Sequence, residues 1–257
     1  MRRIDFFGGL LGLLILLSAC APFIAPYDPL AEVGAALAAP SAQHLFGTDL
    51  IGRDVFSRVL YGGARTLSIG IIAFACTVLI GGVIGLSAGF FGGALDALVV
   101  SLTDALLAIP SLLIALSLLT LAGSGSLQIA LAAALSSLPA YLRVVRAAAR
   151  TIRTQPYIEA ARAAGASNLG LLWRHALPNA APICLSAGVV ALAWAILNAA
   201  TLHFLGFGGD PSLPEWGAML AEGRAVFRAA PWVACASGMA LTLTLLAANG
   251  VARRLAR

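Results

Sequence analysis

Residues 105–142 read ALLAIPSLLIALSLLTLAGSGSLQIALAAALSSLPAYL, 38 consecutive residues without a charge. One helix of that length would be about 57 Å long at 1.5 Å per residue. The hydrocarbon core of a bilayer is ~30 Å thick and takes about 20 residues. The run is too long for one crossing, and Gly123-Ser124-Gly125-Ser126 supplies a turn in its middle. It therefore reads as two membrane spans, the first starting upstream near Leu95.

Outward from this stretch the pattern repeats. Phe6–Ala25 and Thr66–Leu95 are uncharged, and Ala176–Gly209 and Ala229–Ala252 each hold a further span. The reading is an all-α polytopic membrane protein with six transmembrane helices at about 6–25, 66–90, 95–121, 126–146, 179–206 and 229–250, forming one domain over residues 1–257. Composition agrees. The chain is 60% hydrophobic and 11% charged, with mean hydropathy +0.95. A soluble domain carries about 25% charged residues, so a soluble fold is excluded.

All 16 basic residues are Arg. They sit between apolar runs, which fits loops at a membrane surface and not a nucleic-acid groove. Arg2, Arg3, Arg143, Arg146, Arg150, Arg153, Arg162, Arg174, Arg253, Arg254 and Arg257 fall on one side of a six-span topology, and Arg53, Arg58, Arg65, Arg224 and Arg228 on the other. The positive-inside rule then places both termini and the 156–178 loop in the cytoplasm, with 26–65 and 207–228 external. Cys20, Cys76, Cys184 and Cys235 are isolated in apolar sequence, as packing thiols are. Leu17-Ser18-Ala19-Cys20 also matches a lipoprotein cleavage box. Cleavage there would leave five spans and break the arginine parity, so a first transmembrane helix is expected.

The cytoplasmic loop, 156–178, reads PYIEAARAAGASNLGLLWRHALP. Pro156 suits the first turn of a helix and Glu159 its positive end. Gly165 ends that helix, Ser167 or Asn168 caps a second reaching about Trp173, and Pro178 is expected to break it and open the fifth span. Two short helices displaying small residues suit docking into a groove on another protein.

Glu159-Ala160-Ala161, Gly165 and Leu177-Pro178 resemble the EAA loop of bacterial ABC importer permeases, and Arg174-His175 is similar to the peptide-transport branch. Further matches follow in family order. His44 to Asp49 with Gly52-Arg53-Asp54 and Ser57-Arg58 resembles the segment before the second span of the second permease subunit in dipeptide/oligopeptide/nickel importers. Leu102-Thr103-Asp104 to Ile109-Pro110-Ser111 is similar to its third span. Phe204 to Gly208, Trp216-Gly217, Met219-Leu220 and Glu222-Gly223-Arg224 are similar to its last external loop.

The resemblance implies a type I importer permease fold and an ATP-driven, binding-protein-dependent importer of di- or oligopeptides, with nickel or another small solute as the alternative. It implies that Glu159, Ala160, Ala161, Gly165, Leu177 and Pro178 couple to the ATPase. The implied partners are a homologous permease, two ATP-binding subunits and a solute-binding protein, besides membrane lipid and with no nucleic acid. ATP and Mg belong to the partner ATPase and no cofactor to this chain. A Walker loop needs a Lys, which this chain lacks; no catalytic grouping stands out either. It is a transport subunit and not an enzyme.

Several residues admit two roles at this point. Arg53, Asp54 and Arg58 either contact the external binding protein or form salt bridges within their loop. Asp104 is either a gate or a structural acid paired with an Arg, since a charge in a span marks function or a buried partner. Gly81, Gly85 and Gly89 form a small-residue face for packing within the subunit or against a second one. Trp216 is expected at the membrane interface. His44, His175 and His203 show no ligand spacing, so no metal site is expected. An ion-coupled secondary transporter using Asp104 is the rival class; no inverted repeat supports it.

Overall fold

A computed structural model of the chain describes residues 4–256 except 209 and 211. Arg2, Arg3 and Arg257, used above for sidedness, lie outside the described residues. Among those described, the chain is helical with two isolated antiparallel bridges, Glu32 to Arg53 and Thr48 to Asp54, and no strand.

The helices are α1 (Ile4–Ala19), α2 (Ala21–Ile24), α3 (Val55–Phe91), α4 (Gly93–Leu107), α5 (Ser111–Ala122), α6 (Ser126–Arg153), α7 (Pro156–Ala163), α8 (Asn168–Leu171), α9 (Leu177–Phe204), α10 (Trp216–Ala225) and α11 (Pro231–Leu255); a π-helical turn, Leu172–Ala176, joins α8 to α9. Four continuous helical stretches are long and apolar enough to cross a bilayer: α3, α6, Asn168–Phe204 and α11.

Three expected spans take a different form. The span expected at 95–121 is two helices, α4 and α5, bent by 92°. Pro110 is the cause: it lacks an N–H and pushes the residue before it out of helical geometry. The span expected at 6–25 is the 16-residue α1 followed by a single turn, α2, the α1 stretch being about 24 Å long. The span expected at 66–90 is part of a 37-residue helix that starts at Val55, where Asp54 accepts from the Ser57 amide at 2.8 Å as its cap. Pro139 lies inside α6 without ending it. The turn expected at Gly123 is present, with Gly123 at φ +82 between α5 and α6.

α6 is the central helix, packed on α3 along one side and α9 along the other. Its small residues let it lie close: Ala130, Ala132, Ala133, Ser136 and Ser137 are buried. The stripe on α3 faces it. A Cβ on Gly81 would come within 2.7 Å of the Tyr141 ring, and one on Gly89 within 2.3 Å of the Arg146 carbonyl oxygen. The stripe therefore packs within the subunit. Many large apolar side chains stay exposed, among them Leu79, Val83, Leu98, Leu121 and Leu246. No soluble chain leaves such a surface in water.

Candidate translocation groove and coupling segment

The residues expected to couple lie together at the Arg-rich end. Ile158 is fully buried and anchors α7 against Ile152, Leu171, Leu172 and Ala176. That anchoring turns Glu159 and Ala160 outward, both exposed, with Ala161 half-buried. Gly165, at φ +88, ends the helix. Its N–H donates to the Arg162 carbonyl at 3.0 Å and the Ala166 N–H donates to the Ala161 carbonyl at 3.1 Å. These two bonds are a Schellman cap, which needs the left-handed conformation that glycine adopts without strain. Ser167 caps α8, its Oγ accepting from the Gly170 N–H at 3.1 Å. Tyr157, Leu169 and Trp173 add exposed apolar surface at this end.

Pro178 does not break the chain into two helices as expected. The backbone is helical from Asn168 to Phe204, with the Leu177 N–H donating five residues back to the Leu172 carbonyl. A proline ring in a helix collides with the carbonyl four residues earlier. The wider π turn just before Pro178 relieves that conflict and keeps the segment continuous with α9.

A groove runs along the seam of α6 and α9. Its larger cavity, about 560 Å³, is lined by Ser136, Ser137, Tyr141, Trp194 and Asn198 among others. A second cavity of about 450 Å³ continues it toward Arg143, Thr151 and Asn179, and the two share Val144 and Ile183. Asn198 Nδ2 donates to Ser136 Oγ at 3.0 Å, while the Ser137 and Thr77 hydroxyls lie 3.2 Å apart. Among the described residues, the larger cavity has no Asp, Glu, Arg or His in its lining. These residues escaped the sequence reading. The signal was present in Asn198, an amide in the middle of an apolar run, but its Ser136 partner is 62 residues away.

At the opposite end the segment before α3 folds against α10. Asp49 is buried and takes Arg53 Nε at 2.6 Å and the Arg58 guanidinium. Glu222 pairs with Arg58 and, at 3.4 Å, with Arg53. His44 Nδ1 lies 3.0 Å from Asp54 Oδ1. Burial alone raises the Asp49 pKa, but the Arg53 amide and the Arg58 charge outweigh it and hold the carboxyl below its usual range. Arg53, Asp54 and Arg58 are buried, the two arginines paired with Asp49 and Glu222 and Asp54 facing His44. Glu222, quoted above only as part of a motif, is the acid that completes the network.

Trp216 also differs from expectation: it is buried, and its Nε1 donates to the Val59 carbonyl at 2.9 Å. Glu215 caps α10 through Gly217 and Ala218 and accepts from Thr66 Oγ1 at 2.6 Å. His203 Nδ1 is 2.9 Å from the Ala199 carbonyl. Asp104 meets Arg143 at 2.6 Å, with both side chains more than half exposed, and Asp96 meets Arg146 Nη2 at 2.7 Å.

Residues 81–257 match the family of binding-protein-dependent transport system inner membrane components. The chain belongs to that family. It is a multi-pass transport subunit of a bacterial importer family, and ATP hydrolysis resides in a separate subunit. Members work with a further permease, ATPase subunits and a binding protein. This permease is 39% identical over 252 residues, 94% of its length and 83% of the other's, to the di/tripeptide transport system permease protein DppC of Pseudomonas aeruginosa (strain UCBPP-PA14). It is 40% identical over 239 residues, 92% of its length and 79% of the other's, to the glutathione transport system permease protein GsiD of Escherichia coli O157:H7. Among solved structures, a chain of the MetNI methionine ABC transporter in an inward-facing conformation superimposes with a TM-score of 0.63 at 18% identity, covering 78% of this permease and 97% of that chain. That likeness establishes the fold alone.

Proposed function

We propose that this permease belongs to an importer of di- or oligopeptides and that the α6–α9 groove is its half of the translocation pathway, closed by a homologous permease. The groove itself carries the reading. Polar groups within a membrane face a bundle interior or a water-filled cavity, and transporter sites lie near the midplane where two bundles meet. Hydroxyl and amide groups of Ser136, Ser137 and Asn198 line this cavity in an otherwise apolar chain. The larger cavity carries no ionised side chain among its described residues, which suits peptides of either charge and leaves selection to the binding protein. The relatives named for di/tripeptide and for glutathione, itself a tripeptide, support the same class.

Coupling in this reading runs from one end of the molecule. Two ATP-binding subunits carry ATP and Mg and close on each other. Glu159, Ala160, Ala161 and Gly165 sit in a cleft of one of them. The motion passes through the π turn, Leu177 and Pro178 into α9, which is one wall of the groove. A ligand-biased pair of global states is then coupled to transport. Both termini are cytoplasmic, and segments 26–65 and 207–228 face the binding protein.

The test is reconstitution of the whole importer in proteoliposomes with its binding protein, measuring uptake of labelled dialanine, glutathione and Ni²⁺. Ala140 lines the same cavity and is exposed. Peptide uptake that falls at least about ten-fold in Ala140→Trp, with basal ATPase and Tm kept, supports both the substrate and the groove. Uptake of Ni²⁺ alone rejects the peptide reading, and unchanged uptake in Ala140→Trp rejects the groove.

A further inference from the structure

Among the described residues that line the two cavities of the α6–α9 groove, Arg143 is the one charged side chain. It stands on the face of α6 that carries Ala140, Val144 and Ala147, which follow each other at helical spacing and are all exposed. An otherwise neutral groove thus has a cation at its Arg-rich end. Depth separates this charge from a surface arginine. Arg65, hydrogen-bonded to Ser126 at the start of α6, marks the opposite membrane boundary. Arg143 lies 17 residues further along α6, about 25 Å by helix rise, within a hydrocarbon core of ~30 Å. Its side chain is 57% exposed and that of its partner Asp104 56%. An ion pair so open is costly against lipid and belongs in a water-filled cavity.

The pair leaves most of the guanidinium unused. Arg143 Nη2 donates to Asp104 Oδ1 at 2.6 Å, the one hydrogen bond the group makes among the described residues. A guanidinium has five N–H donors in a planar fork and holds a carboxylate two-pronged. Acceptors line the same cavity. Asn179 Nδ2 donates to the His175 carbonyl at 2.6 Å, which leaves the amide oxygen as an acceptor. Thr151 Oγ1 donates to the Ala147 carbonyl at 3.1 Å and keeps its lone pairs. The volume, about 450 Å³, is within the ~300–1,000 Å³ of small-molecule sites. An unmodified peptide presents an α-carboxylate whatever its side chains, with N–H groups behind it. That carboxylate is the anion common to the substrate class.

We propose that Arg143 is a subsite at the inner end of the groove that holds the α-carboxylate of a peptide in passage. Asp104 is the internal competitor that takes the guanidinium back. The inference rests on the peptide reading of the groove. Competition keeps the hold weak, as passage requires: release of the peptide restores an ion pair that the empty protein already has.

Saturation-transfer NMR on the assembled importer in nanodiscs, without its binding protein, tests this with dialanine and dialanine amide as probes. The two differ at the terminal carboxylate alone. The wild type binds dialanine roughly ten-fold more tightly than the amide, the effect of a hydrogen bond to a charged group. Arg143→Gln keeps a polar side chain without the charge and binds the two alike. Asp104→Asn removes the competitor and widens the preference beyond the wild type; an unchanged preference there overturns the role of Asp104. A damaged fold weakens both probes together, so their ratio isolates the carboxylate. A wild type that binds neither probe or both equally, or a preference that survives in Arg143→Gln, overturns the proposal. The groove reading still stands in that case if Ala140→Trp blocks peptide uptake. Uptake that Ala140→Trp leaves unchanged overturns both, because any carboxylate preference then sits off the pathway.

Discussion

Arg58 and Glu222 are 164 residues apart in sequence and meet as a two-point pair, Nη1 to Oε2 at 2.7 Å and Nη2 to Oε1 at 3.1 Å. The pair ties the start of α3 to α10, and Asp49 on the other side of the guanidinium extends the tie to the segment before α3. Three remote parts of the chain are thereby fixed at one end of the bundle.

Removing the shared cation is the severest change to this end. Arg58→Ala leaves Asp49 buried without its second partner and Glu222 without its main one. Breaking a buried pair from one side costs roughly 3–5 kcal/mol. A thermal melt in detergent is expected to show a drop of several degrees or an early separate transition. A Tm unchanged from wild type removes the network as a source of stability.

Acid acts on the same site. Because the folded pKa of Asp49 is depressed, its stabilising contribution is complete above the unfolded carboxylate value of about 3.9. It is lost as pH falls through the lower folded value. Melts from pH 6 down to pH 3 are expected to show a loss of stability that Asp49→Asn lacks, since that variant has already lost the charge. Parallel curves for the two proteins assign the acid sensitivity elsewhere.

The stripe on α3 makes a prediction with an internal control. Gly89→Ala drives a methyl to 2.3 Å from the Arg146 carbonyl, whereas a Cβ on Gly12 meets nothing within 4 Å. Overpacking of this kind costs about 1–3 kcal/mol. Gly89→Ala is expected to lower the Tm and Gly12→Ala to leave it alone; equal Tm values place α3 and α6 further apart than the structure has them.

The proposed coupling surface separates stability from function. Ala160→Trp and Glu159→Arg lie on an exposed face with Ile158 still buried beneath it. Both are expected to keep the wild-type Tm while the ATPase no longer copurifies. Gly165→Ala meets no neighbour, but carries about 1–2 kcal/mol of left-handed backbone strain. It is expected to weaken copurification by fraying the end of α7. Full recovery of ATPase with all three variants moves coupling away from this loop.

Much of this molecule follows from local chemistry. Uncharged runs, the Gly123-Ser124-Gly125-Ser126 turn, Pro156, Gly165 and Ser167 act over a few residues, so the membrane class, the helices of the coupling segment and the family motifs can be read along the chain. The sequence also marked Pro178 as a break. It could not say that the chain turns by 92° at Pro110 while a π turn carries the helix through Pro178, because that depends on what the neighbouring helices hold in place. The roles of Arg53, Asp54 and Arg58 stayed open for the same reason. An arginine in a loop is a surface charge until its acid is known, and Glu222 is more than 160 residues away. The groove along α6 and α9, with Ser136 and Asn198 in its wall, arises only where helices meet. Local sequence sets which elements form, but the contacts between remote elements decide which polar groups find partners and which are left to face a cavity.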